Sequence, residues 1–426
     1  MDNSIIDAPN LRLVKSVTFY FDGELPCDAK YLLQDFRLAV NCAIRAGLQL
    51  GISSRNAFNK MVYKDFRKEH PRLSSYHLVA AFEIAAAILK VYRKRLREGK
   101  PCHMPYQRTL MARSENMAYK LDPKSGIIDL AVRAGCHVKI PLTLSEYHRK
   151  FLNDDTYSLG SLTILSDRVS IAFRKPTPKC YTPESILSLD TNERSLDGVL
   201  VNPQSSSIAR ADFPEIAIIQ QRHHDRRRAL MKKKSHDGRM AKTLCKKEGI
   251  REHHRVEYRL HQIANSVLFF AEGHRSAIIL EDLKGIKPVK GTKLSRRIGI
   301  WPRRELHRII EYKARWKGIP VVKVNPRNSS RKCPICGSIQ NTRMGAEFEC
   351  ECGWHLDRHI NASINLLQSA SSKGLAGGLW FDPGAFQRDV VMVLYDPVTG
   401  ARSEPNGMSN QSRTGDHVLE RMEEGN

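Results

Sequence analysis

The 426-residue sequence predicts an α/β multidomain protein. Three observations carry that prediction. In the N-terminal part, strand-type runs bracket two long helical stripes. In the C-terminal part, apolar runs that each end in an acid alternate with amphipathic helices. Between the last of these runs and a third acid, Asp357, lie four cysteines in two close pairs. The length allows two or three domains with sizeable cores, and a hydrophobic content of 41% fits a globular chain.

Residues 11–22 alternate as a β-strand does. From Asp28 the period becomes helical, with Leu32, Leu33, Phe36, Val40 and Ile44 on one face and Gly47 and Gly51 near its end. A second helix is predicted over Ser75–Glu98, with Leu78, Phe82, Ala85, Leu89, Tyr92 and Leu96 on one side and Pro101 stopping it. Its last turns carry Lys90, Arg93, Lys94, Arg95 and Arg97. The runs 126–132, 136–142 and 168–173 read as short strands that, with the first, could close a small β-barrel interrupted by the helices. A buried-type strand, Ser185–Asp190, opens the second part, and 198–201 follows as its neighbour. Val256, Leu260, Ile263, Val267 and Phe270 trace a helical stripe ended by Gly273, and Ser276–Leu283 is a second buried strand. Residues 302–317 read as a helix, and 318–324 lead into the cysteines. From 371 to 426 the composition predicts a loosely ordered tail.

Charge narrows the partners. Lys and Arg number 69 against 45 acids, a formal net charge of +24, and so large a surplus points to a polyanion, most commonly nucleic acid. The surplus is clustered: 222–259 holds fourteen Lys or Arg and five acids. No unbroken apolar run reaches the ~18 residues of a membrane span, and the N-terminus lacks the basic and apolar regions of a signal peptide. Cys27, Cys42, Cys102, Cys136, Cys180 and Cys245 are scattered as reduced thiols of a cytoplasmic protein would be.

Cys333-Pro-Ile-Cys336 and Cys350-Glu-Cys352-Gly, thirteen residues apart, have the spacing of a structural Zn²⁺ site. His355 stands close enough to be a substitute ligand, although a surface role is the plainer one. Three acids sit at element ends: Asp190, Glu281 and Asp357, the last also well placed to cap the helix that follows. Carboxylates brought together at a sheet edge suit Mg²⁺-assisted phosphodiester cleavage.

These motifs resemble those of the TnpB (OrfB) family, the transposon-encoded relatives of compact type V CRISPR effectors, over roughly 11–370. Ser188-Leu-Asp190-Thr-Asn-Glu-Arg and Ile279-Leu-Glu281-Asp-Leu-Lys-Gly-Ile resemble the family's first and second RuvC motifs. Asn325-Pro-Arg-Asn-Ser-Ser-Arg-Lys-Cys333 resembles its approach to the zinc ribbon, and Asp357-Arg-His359-Ile-Asn361-Ala-Ser-Ile-Asn365 its third RuvC motif. The resemblance implies a wedge-like β-barrel domain at 1–27 and 100–182, a helical recognition domain at 28–99, an RNase H-like RuvC nuclease domain at 183–331 and 353–370, and a zinc ribbon at 332–352. It implies guide RNA and double-stranded target DNA as partners, in the cytoplasm of a prokaryote at its nucleoid. Arg93, Lys94, Arg95, Arg226, Arg227, Arg228, Lys232, Lys233 and Lys234 are the expected nucleic-acid contacts, through salt-dependent phosphate pairing.

One position departs from the family pattern. The third motif usually reads Asp-x-Asn-Ala, and His359 stands where that Asp belongs. Asp357 or His359 itself completes the catalytic set with Asp190 and Glu281, or the chain binds without cutting. The leading expectation is an RNA-guided, Mg²⁺-dependent DNA endonuclease. The others are a nuclease-deficient RNA-guided DNA binder and a guide-independent resolvase or transposition accessory protein.

Overall fold

The computed structural model describes residues 12–133, 135–232, 238–283, 302–339, 345–374 and 376–395. The chain divides into two units, one within Ala8–Thr177 and one within Pro178–Asn426.

The first unit runs β1 (Arg12–Phe21), α1 (Cys27–Gln49), α2 (Arg55–Met61), α3 (Tyr63–Glu69), α4 (Ser75–Arg97), β2 (Met111–Ser114), β3 (Tyr119–Leu121), β4 (Ile127–Arg133), β5 (Cys136–Thr143), α5 (Glu146–Leu152), β6 (Ser158–Leu165) and β7 (Arg168–Pro176). Its strands form one seven-stranded order, β2-β6-β7-β1-β5-β4-β3. β1 lies at the centre, paired antiparallel along its length with β7 and at its end with β5. The expected closure into a barrel has no β2–β3 pairing behind it among the described residues. The apolar stripe of α1 is buried as the periodicity predicts, against Leu78, Phe82, Ala85 and Leu89 of α4. The α4 stripe stops there, because Leu96 is exposed. Gly47 is required where the two helices approach: a Cβ there would collide with Leu89 and Phe58. Phe36, Phe82 and Leu89 share a single core with Phe19 of β1 and Ile171 of β7. The segment 28–99 is therefore not packed apart from the strands. By length and composition α4 is apolar enough to cross a membrane, which the absence of an unbroken run concealed, yet its apolar side forms this core.

The second unit runs β8 (Ser185–Thr191), β9 (Ser195–Val201), β10 (Ser206–Asp212), α6 (Pro214–Lys232), α7 (Gly238–Gly273), β11 (Ser276–Glu281), α8 (Arg303–Lys317), β12 (Val321–Val324), β13 (Glu347–Glu349), β14 (His355–Asp357), α9 (Arg358–Ser371) and β15 (Phe386–Tyr395). Its sheet has the order β12-β11-β8-β9-β10-β15. β8, β9 and β10 form an antiparallel meander, while β11 runs parallel to β8 and β12 parallel to β11. Both faces are covered, which is why β8 and β11 read as continuous apolar runs rather than alternating ones. Leu187, Leu189, Ile278 and Leu280 pack on α7 and α8. Ile186, Val199 and Ile279 pack on Ile360, Ile364 and Leu367 of α9.

The loosely ordered tail expected from 371 is corrected over Phe386–Tyr395. This segment adds β15 parallel to β10, with Leu394 and Tyr395 buried. Phe381 and Phe386 pack around Trp354, and Arg388 lies 4.5 Å above its ring. Residues 396–426 lie outside the described residues.

Candidate active site and metal centre

β8 and β11 run parallel, so their carboxyl ends, carrying Asp190 and Glu281, meet at one edge of the sheet. Both acids are buried, at 7% and 9% exposure. Glu281 is pushed up to about 8 by burial first, and then by the negative charge of Asp190 and a hydrogen bond with it. Its carboxylate also accepts from the Thr191 backbone.

The third partner is His359. Its Nδ1 lies 2.9 Å from Asp190 Oδ2, and its Nε2 accepts from Arg358 Nε at 3.3 Å. An accepting Nε2 places the ring proton on Nδ1, which donates to Asp190. Asp357 is engaged at the start of α9. Its carboxylate caps α9, accepting from the backbone N–H of His359 at 2.7 Å and of Ile360 at 3.3 Å.

Several further groups support the site, some of them within the quoted motifs but with no role legible there. Asp197 stands opposite Asp190 in the β8–β9 register. Asn192, Ser195 and Arg210 all donate to its carboxylate, Arg210 Nε at 2.6 Å. Thr191 Oγ1 lies 2.7 Å from Nε2 of the buried His307, whose pKa burial lowers to about 3. Ser188 Oγ donates to the Ser363 carbonyl at 2.7 Å, tying β8 to α9. Asn361 and Asn365, one helical turn apart on α9, hold the loop that follows β12. Asn361 Nδ2 donates to the Lys332 carbonyl, and Asn365 Nδ2 to those of Ser329 and Lys332. Their i,i+4 spacing was the available signal.

The cysteine site is complete. The four Sγ atoms lie within 4.8 Å of one another, with Cys333–Cys352 at 3.6 Å and Cys336–Cys350 at 3.5 Å. Four thiolates about 2.3 Å from a tetrahedral Zn²⁺ stand close to these separations, so the donor set fits the ion. Each pair turns on a glycine in the left-handed region, Gly337 at φ 78° and Gly353 at φ 86°. The short Cys-x-Cys pair is accommodated because Cys350 N–H donates to the Trp354 carbonyl, folding the second turn back on itself. His355 is exposed and beside Glu347, so it is not a substitute ligand. For Mg²⁺, a hard cation that binds through one or two carboxylates and keeps waters, the fit rests on Asp190 and Glu281 alone, since the third partner is an imidazole.

The expected nucleic-acid contacts divide. The Arg93 guanidinium is committed internally, donating to Ser53 and to the Gly47 and Ile52 carbonyls. Lys94 pairs loosely with Glu98 at 3.9 Å, and Arg95 is exposed. Arg226 and Arg227 pair across the α6–α7 hairpin with Glu248 and Glu252. Arg228 and Lys232 are exposed, while Lys233 and Lys234 lie outside the described residues.

Comparison with known proteins places the chain in a family. Residues 304–366 match the model described as the Cas12f1-like TNB domain, and residues 32–128 that of the uncharacterized protein MJ0013 family. The TnpB-like protein MJ0751 of Methanocaldococcus jannaschii is 30% identical over 247 residues, 56% of this chain and 88% of that protein. The chain belongs to the TnpB-like family. The CRISPR-associated endodeoxyribonuclease Cas12f1 of Syntrophomonas palmitatica is 35% identical to this TnpB-like chain over 98 residues, covering 22% of it and only 19% of that relative. The cryo-EM structure of CasPhi-2 (Cas12j) bound to crRNA shares the fold, with a TM-score of 0.52 at 11% identity over 87% of this chain and 99% of that one.

Proposed function

We propose that this TnpB-like chain is an RNA-guided DNA endonuclease whose second unit is an RNase H-like RuvC domain. The observation that carries the reading is the meeting of Asp190 and Glu281 at the carboxyl ends of adjacent parallel strands. The strand order, an antiparallel meander extended by two parallel strands beside β8, supports it. So do the relatives, one of them named a putative RNA-guided DNA endonuclease, in Streptomyces pristinaespiralis.

Asp190 and Glu281 are the residues that would hold Mg²⁺; when bound, the ion supplies an activated water and stabilises the leaving oxygen. The chain does the rest. Asp197, held by Arg210, Asn192 and Ser195, steadies the strand opposite Asp190, and the Thr191 backbone orients Glu281. His359 fixes one Asp190 oxygen. The exposed cations of 222–259 and of the α4 end hold RNA and heteroduplex backbones, while base pairing supplies sequence specificity. Such a protein works in the cytoplasm, at the nucleoid of a prokaryote.

The His359–Asp190 hydrogen bond favours a second reading, an RNA-guided binder with weak cleavage, because an imidazole replaces the third carboxylate. The test is expression with the flanking genomic DNA, sequencing of co-purified RNA, and assay of a matching DNA with and without Mg²⁺. Specific RNA with Mg²⁺-dependent cutting supports the nuclease; specific RNA without cutting supports the binder; no RNA overturns both.

A further inference from the structure

A cavity of about 380 Å³, lined mostly by polar residues, lies between the loop after β12, helix α9 and the turn that follows α9. That is within the range of small-ligand sites. Its place in the fold is informative. Val324, the last residue of β12, is in register with Glu281, so the loop beginning at Asn325 opens on the same sheet edge as the acids.

The lining has the chemistry of a nucleotide site. Trp380, 56% exposed, lines this cavity. Arg327 and Lys332 are exposed cations at the rim. Asn325, Asn365 and Gln368 contribute side-chain amides. Asn365 is 7% exposed, and its Nδ2 is fully used in holding the loop. Its Oδ1, by contrast, is buried with no hydrogen-bond partner. Native proteins keep such acceptors rare, and here it belongs to a residue that lines a cavity.

We propose that this cavity takes one unstacked nucleotide of the single-stranded DNA that reaches the acids, an inference that rests on the nuclease reading. The base stacks on Trp380, its edge meets the amide groups, and its phosphates pair with Arg327 and Lys332. Stacking tolerates any base because every base has a π-face, which suits a strand whose sequence is read elsewhere by the guide.

The test uses the full chain with its guide RNA, in the Glu281→Ala background so that DNA survives, and a fluorescent oligodeoxythymidylate as probe. Trp380→Ala weakens binding of the probe about tenfold, and Trp380→Phe keeps it within about threefold. The double variant Arg327→Ala with Lys332→Ala lowers the slope of log K against log salt by about 1.4. Iododeoxyuridine in the probe crosslinks to Trp380 on irradiation. Unchanged affinity in Trp380→Ala, or crosslinks confined to other residues, overturns the proposal. Weakened guide-RNA binding with unchanged probe binding overturns it too, in favour of an RNA occupant. Binding is read without cleavage, so the two failures separate. A chain that never cuts but loses probe affinity with Trp380 refutes the nuclease reading alone. One that cuts while Trp380→Ala binds normally refutes the cavity alone.

Discussion

The cysteine cluster and the carboxylate edge both border α9, yet they are assembled in opposite ways. The thiols come from one short stretch, 333–352, folded by two glycine turns and local backbone hydrogen bonds. The acids come from β8 and β11, far apart in sequence, and their meeting depends on the whole sheet. The first cluster is closed on itself with four ligands of one kind. The second is buried, mixes carboxylates with an imidazole, and keeps one carboxyl far above its usual range. A locally built cluster suits a structural ion, whereas one built at the ends of distant strands brings together groups of different chemistry.

That contrast can be broken most severely at the thiols. Cys333→Ser or Cys336→Ser should release the zinc and unfold much of the surrounding core, since Cys333, Cys350 and Trp354 pack with α9. Zinc binding in such sites is worth roughly 10–16 kcal/mol. Elemental analysis and thermal unfolding check this; a zinc-free wild type of full stability contradicts it.

At the acid edge the sharpening comparison is between His359 and Asp357. His359→Asp should raise cleavage by about tenfold or more, by supplying the oxygen ligand that Mg²⁺ prefers. Asp357→Ala should cost about 1 kcal/mol of stability, as loss of a helix cap does, with cleavage changed severalfold at most. Should Asp357→Ala abolish cutting in a folded protein, Asp357 and not His359 is the third catalytic group.

The first unit supplies a control, a buried histidine with a purely structural task. His77 Nδ1 and Nε2 lie against Ser74 and Ser114, at 2.9 and 2.7 Å, and burial lowers its pKa to about 4. Because the folded pKa is depressed below 6.5, its contribution is complete above pH 6.5 and is lost as pH falls towards 4. At about 1.4 kcal/mol per pKa unit the loss amounts to roughly 3 kcal/mol. Denaturant titration at pH 7 and pH 4.5 should show a loss of stability smaller in His77→Gln than in the wild type by about 2–3 kcal/mol, the remainder coming from other buried groups such as His307.

The smallest expected effect is on the basic hairpin. Replacing Arg226, Arg227 and Arg228 with alanine should lower the salt slope of guide-RNA binding by about 1 rather than 3, because Arg226 and Arg227 already have carboxylate partners. A drop near 3 means those pairs open onto RNA, and an unchanged slope means the hairpin is a solvated surface.

What was legible in the sequence follows the same division between local and distant. The cysteine cluster was readable from spacing alone, as were the stripes of α1 and α7, because neighbours in sequence are neighbours in space. Asp190 and Glu281 were readable as strand-end acids, but their proximity was not, since it depends on β8 lying beside β11. The Asp357 cap was open to the eye, while the His359–Asp190 contact was not. β15 escaped entirely: its alternation is diluted by Gln387, Arg388 and Asp389, and an edge strand is held by pairing with β10 rather than by its own pattern. Arg93 looked like one more surface cation and is instead a brace for the end of α1.

The most direct measurement is guide-dependent cleavage of target DNA by Asp190→Ala and by Glu281→Ala, with target binding recorded on the same preparations. Each substitution should reduce cleavage by more than the roughly 10–100-fold that loss of a supporting group costs, while binding of RNA and DNA stays within about twofold, because phosphate contacts set affinity. Cleavage by either variant at the wild-type rate would contradict the assignment of the carboxylate edge as the nuclease site.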